Sequence, residues 1–72
     1  MSDLDALRAE VKKLSMTAVR LKLSLHDLAE DLPVNWAQIP AVAQQAFEAY
    51  RDLESKRAVL KTAEADAAAQ GR

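Results

Sequence analysis

The feature that most constrains this chain is a regular spacing of apolar residues through its first half. The intervals alternate between three and four over nine positions: Leu4, Leu7, Val11, Leu14, Ala18, Leu21, Leu25, Leu28 and Leu32. An α-helix places residues with this spacing on one face, at the a and d positions of a heptad repeat. The pattern therefore predicts one long helix that packs against a second helix along a left-handed seam.

The ends of this first helix can be placed from single residues. Asp3 is suited to the N-terminus, where a carboxylate accepts hydrogen bonds from free backbone N–H groups. Pro33 disfavours helical geometry in the residue before it. We therefore predict a helix over about residues 3–31.

A corner is predicted over residues 32–39. Asn35 and Gln38 have the spacing of a capping box, which favours a helical turn that begins at Trp36. We expect the side chains of Trp36 and Ile39 to fold back onto the end of the hairpin.

The second helix is predicted over about residues 40–66, since proline is tolerated in a first helical turn. It carries a matching seam with one polar member: Ile39, Val42, Ala46, Ala49, Leu53, Lys56, Leu60 and Ala63. Residues 67–72 lack large apolar side chains, so we expect a frayed tail. The chain is thus predicted to be all-α, with residues 1–72 forming a single antiparallel two-helix hairpin, a coiled coil.

This hairpin is too small to bury a large core alone. Half of its 72 residues are apolar, but many are alanine, and there is no cysteine to form a disulfide. Oligomerisation is a usual remedy at this size, so we expect two hairpins to dimerise into a four-helix bundle. Residues 25–49 hold four acidic and no basic residues, whereas residues 8–22 hold five basic and one acidic. This charge pattern favours an antiparallel dimer.

A second stripe with helical spacing lies away from the seam of the first helix, at b and f positions. It is either a set of isolated surface side chains or a second contact face with a polar end. Its members are Met16, Val19, Leu23, His26 and Glu30. If the stripe is a contact face, the predicted partner-binding residues are its members Met16, Val19, Leu23 and His26, together with Trp36 from the corner.

His26 is a candidate metal ligand. Glu30 lies one helical turn from it and Asp27 is adjacent, so the three side chains provide part of a site for a divalent first-row metal. A second chain would have to complete that site. Alternatively, His26 is a surface residue that is favourable near a helix C-terminus without any metal.

Composition excludes several function classes. A net charge of −1 gives no general attraction to nucleic acid or to anionic lipid. One histidine, no cysteine and no serine at a nucleophile spacing exclude a catalytic triad within one chain, so we predict that it is not an enzyme. No apolar run approaches the ~20 residues that span a bilayer, and the acidic N-terminus is unlike a signal peptide. We expect a cytoplasmic protein.

The corner carries the most specific sequence in the chain. Residues 25–36 read LHDLAEDLPVNW, followed by IP at 39–40, VAQ at 42–44 and an aromatic residue at Tyr50. These residues resemble a family of small Rop-like proteins encoded in nitrogen-fixation gene clusters. The segments LRAEVKKL and LESKRAVL also fit, so that the resemblance covers about residues 4–61.

This resemblance implies a helical hairpin that self-associates, with no established enzymatic activity. It also implies an accessory role for nitrogenase or its assembly. Members are described as metalloproteins, which would place a ligand at His26. Two hypotheses follow: a non-catalytic protein that docks on nitrogenase or its assembly machinery, and, as the alternative, a metal-handling protein that uses His26 across an oligomer interface.

Overall fold

The chain folds into two long antiparallel helices joined by a short corner. The structure is a computed structural model that describes residues 3–70. Helix α1 spans Asp3–Asp31, a 3₁₀ helix spans Trp36–Gln38, and helix α2 spans Ile39–Gln70. The pair forms a rod of 58 × 16 × 14 Å. The predicted all-α hairpin is confirmed.

The helix ends follow the two prolines. Helix α1 ends at Asp31, two residues before Pro33, and helix α2 begins at Ile39, so that Pro40 lies in its first turn, where its missing N–H is not needed. At the C-terminus of helix α2, the prediction that this helix stops near residue 66 is wrong by about one turn, since it ends at Gln70. Residues 67–70 are helical because three of the four are alanine, the strongest helix former. Residues 71 and 72, the rest of the predicted tail, lie outside the described residues.

The corner is held by backbone hydrogen bonds. The N–H of Val34 donates to the carbonyl of Asp31 at 3.0 Å, and the N–H of Gln38 donates to the carbonyl of Asn35 at 2.9 Å. Asn35 has left-handed geometry, with φ 61° and ψ 26°, and asparagine tolerates this conformation better than most residues. Its side chain makes no capping hydrogen bond, so the predicted capping box is wrong. A capping box requires extended backbone at the capping residue, and Asn35 lacks it.

The core of the seam between the helices is built around small residues. Ala18 is fully buried and Leu53 is 2% exposed, and both pack in one cluster with Ala49. Alanine opposite leucine lets two helices approach closely and interdigitate. The other predicted seam positions are buried or half-buried, except Leu32 and Ile39, which are exposed at the corner. The heptad register is therefore confirmed along most of both helices.

Two ion pairs cross the hairpin and agree with this register. Arg8 Nε lies 3.1 Å from Glu64 Oε2, and Lys56 Nζ lies 3.4 Å from Glu10 Oε1. The four side chains are a third to a half exposed, so each pair stabilises the fold by only ~0–1 kcal/mol. Burial of leucine and alanine along the seam supplies most of the stability.

We predict that Ala18→Leu destabilises the hairpin by about 1–3 kcal/mol, because the added side chain forces the helices apart. Ala9→Leu is the matched control, since Ala9 is exposed on the same helix. Thermal unfolding followed by circular dichroism measures both variants. Equal melting temperatures for the two would contradict the close approach at Ala18.

Candidate functional site

Large apolar side chains are unusually exposed on this hairpin. Among residues 3–70, those with substantial exposure are Met16, Val19, Leu23, Leu32, Val34, Trp36, Ile39, Phe47, Tyr50 and Val59. Single exposed apolar residues are ordinary, but contiguous groups mark interaction sites. All but Val59 fall into three groups.

The first group is the outer stripe, defined as Met16, Val19 and Leu23 on helix α1. Leu23 is 54% exposed, and the stripe is flanked by Ser15 and Arg20, which line the same shallow depression. The stripe lies away from the seam, where the b and f positions place it. Its role in partner binding stays a prediction.

The second group is the aromatic groove, lined by Leu25 of helix α1 and by Ala43, Phe47 and Tyr50 of helix α2. Phe47 is 61% exposed, and the Arg51 guanidinium lies 5.9 Å from its ring centroid, within range of a cation–π contact. The sequence places Ala43, Phe47 and Tyr50 beside the seam of helix α2, where they widen its apolar face. It does not predict that they form a groove with Leu25 of helix α1.

The third group is the corner patch, defined as Leu32, Val34, Trp36 and Ile39. Trp36 is 67% exposed, so the prediction that it folds back onto the hairpin is wrong. Leu28 is buried at this end of the seam, but Trp36 does not cover it. The corner patch therefore faces solvent in the isolated chain.

The candidate metal ligands lie on the surface near the corner. His26 Nδ1 is 3.9 Å from Asp27 Oδ1, and both side chains are well exposed, as is Glu30 one turn further on. Within the described part of the chain, no three histidine, aspartate or glutamate side chains are grouped closely enough to hold a metal ion. The metal site predicted at His26, Asp27 and Glu30, completed by a second chain, therefore stays a prediction.

Between residues 3 and 70, neither helix has a stretch that is both long and apolar enough to cross a bilayer.

We predict that Leu23→Glu leaves the hairpin helical, because the Leu23 side chain already lies largely in water. Leu53→Glu is the contrasting variant, and it should unfold the hairpin because it buries an unpaired charge in the seam. Far-UV circular dichroism distinguishes the two outcomes. Loss of helicity in the Leu23 variant would place that residue in the core and disprove the register.

Fold and surfaces together define a small helical-hairpin protein with exposed apolar patches at its corner and on its faces. The chain matches the Rop-like family over residues 2–65 and belongs to that family. No solved structure matches it.

Several proteins described as UPF0437 proteins are similar to this chain. One from Azorhizobium caulinodans is 52% identical over 96% of this chain and the full length of the relative. One from Trichormus variabilis is 39% identical over 85% of this chain and 71% of the relative. A third, from Frankia alni, is 47% identical over 71% of this chain and 65% of the relative, and its name locates it in the nifX–nifW intergenic region.

Proposed function

We propose that this chain is a non-catalytic accessory protein of nitrogen fixation that docks on nitrogenase or on a protein of its assembly machinery. The name of the Frankia alni relative supports the process, since it places that protein between two nif genes. Docking as the mode of action is supported by one observation on this chain: its three aromatic side chains, Trp36, Phe47 and Tyr50, are all exposed.

Exposed aromatic residues are costly in a chain of this size. Aromatic side chains are normally among the largest contributors to a core, and they are also enriched at protein–protein interfaces. The hairpin exposes 5593 Å² for a mass of 7.9 kDa. A compact monomer of that mass exposes about 4,400 Å². The hairpin therefore exposes more surface than a compact monomer of the same mass, and partner proteins can cover this surplus.

A second copy of the chain is the first such partner, and the aromatic groove is the surface it covers. The groove is lined by both helices, so a second hairpin laid along it completes a four-helix bundle. A specific interface buries ~1,200–2,000 Å² in total over both partners, which the surplus area of two hairpins accommodates. The outer stripe and the corner patch stay outside this interface.

We predict that Phe47→Glu converts the dimer to a monomer, because it introduces two charges into the interface. Leu23→Glu is the matched control, an apolar-to-acidic change in the outer stripe that leaves the dimer intact. Sedimentation velocity measures the mass of each. The dimer model fails if the wild-type chain is a monomer, or if Phe47→Glu sediments as the wild type does.

Docking itself is tested by co-purification. A tagged full-length chain is recovered from nitrogen-fixing cells and from the same cells grown on ammonium, and the bound proteins are identified by mass spectrometry. Nitrogenase or an assembly protein is expected in the first sample and is reduced in the second. Recovery of the chain from nitrogen-fixing cells with no nitrogen-fixation protein bound would count against the proposed function.

Metal handling at His26 is the alternative proposal, and it rests on the exposed His26, Asp27 and Glu30 side chains. We predict that His26→Ala abolishes any stoichiometric binding of zinc, iron or nickel, because no other histidine is present. Metal content per chain and partner binding are measured separately on the wild-type chain and on the His26→Ala variant. Metal loss with unchanged partner binding would show that docking does not require the metal, and equal metal content in both would rule out His26 as a ligand.

A further inference from the structure

The corner patch differs from the other exposed apolar surfaces in the charge around it. Three acidic residues, Asp27, Glu30 and Asp31, lie at the end of helix α1 beside it, and all three are exposed. No lysine or arginine occurs anywhere in residues 25–49. Over residues 3–70, no ion pair involves Glu30 or Asp31. The patch is therefore apolar at its centre and negatively charged at its edge.

The corner also presents Trp36 from a fixed backbone. The turn before it is closed by the hydrogen bond from Val34 to Asp31, and the N–H of Trp36 donates to the carbonyl of Pro33 at 3.4 Å. The 3₁₀ helix that begins at Trp36 leads directly into helix α2. Because the backbone at Trp36 is already ordered, binding through this residue costs little backbone entropy, which favours affinity.

We propose that the corner patch inserts Trp36 into an apolar cleft of a partner protein whose rim carries lysine and arginine. This inference rests on the proposed docking function and gives the chemistry of the partner surface. The apolar cleft covers Trp36 and Val34, and the basic rim pairs with Glu30 and Asp31. Tryptophan is enriched among interface hot spots, and complementary rim charges speed association and set orientation.

Charge argues against the other occupants of this surface. A second corner patch brings three carboxylates against three, which is repulsive at short range. Nucleic acid and anionic lipid present phosphates, which the acidic edge also repels. A protein with a basic rim is the class of partner that the edge attracts.

The first experiment is site-specific photocrosslinking of the full-length chain in nitrogen-fixing cells. Benzoylphenylalanine replaces Val34 in the corner patch or, as a control, Val59. Val59 is exposed on helix α2 and lies 20 residues from Ile39, or roughly 30 Å along the helix. We expect position 34 to crosslink to a different protein and position 59 not to crosslink to that protein. Crosslinking of position 34 only to the chain itself, or to nothing, overturns the proposal.

The second experiment measures the affinity of the crosslinked protein, once purified, for the wild-type chain and four variants. Trp36→Ala should weaken binding by about 30-fold or more, as expected of a hot-spot residue, whereas Val59→Ala should match the wild type. Asp31→Asn should slow association at low salt, and Asp66→Asn, an exposed acid near the other end of the hairpin, should not. Circular dichroism confirms that each variant is folded.

Capture alone does not support the proposal, which requires the loss of affinity in Trp36→Ala and the slower association in Asp31→Asn. A partner that binds Trp36→Ala as tightly as the wild type overturns it. The identity of the partner separates the two proposals. If the protein bound through Trp36 has no part in nitrogen fixation, the corner proposal stands and the proposed function fails. If a nitrogen-fixation protein binds, but without using Trp36, the proposed function stands and the corner proposal fails.

Discussion

The close approach of the two helices at Ala18, Ala49 and Leu53 is the contact on which the rest of the structure depends. Small residues let the helices pack tightly. Burial of apolar surface stabilises a fold by about 25 cal/mol per Å², and alanine buries little such surface. Several seam leucines on either side of this contact, among them Leu14, Leu21 and Leu60, are only half-buried between two helices. A seam of this kind fixes the register of the hairpin while leaving apolar surface on its faces. The exposed groups are thus a consequence of the way in which the hairpin is closed.

That surface is divided between regions with different electrostatic surroundings. The aromatic groove is bordered by charges of both signs, Lys22, Arg51 and Glu54, so that an identical chain can approach it without strong repulsion. Beside the corner patch, residues 25–49 contain acidic residues but no lysine or arginine, so that a second corner patch is repelled. Apolar burial provides affinity in both places, and charge decides which partner each surface accepts. Self-association and docking on another protein are therefore compatible on one hairpin.

Most of the fold could be predicted from the sequence, because helical periodicity and proline act locally. The spacing of the leucines fixed the buried face of helix α1, and Pro33 and Pro40 fixed the corner to within a residue. The path of the corner could not be predicted. Asn35 adopts a left-handed conformation in place of a cap, and Trp36 is exposed where packing against the end of the hairpin was expected. Such features follow from tertiary packing, which residue spacing does not encode.

The arrangement of two hairpins determines how the corner patches can be used. In a parallel dimer, the acidic residues Asp27, Glu30 and Asp31 of both chains would lie at one end of the bundle and repel each other. An antiparallel dimer separates them by a distance approaching the 58 Å length of the rod, well beyond the ~8 Å screening length at physiological ionic strength. Each end of the bundle then presents one Trp36. Such a dimer would engage two partner molecules, or two distant sites on one assembly, and would gain avidity only if both ends reached their clefts together.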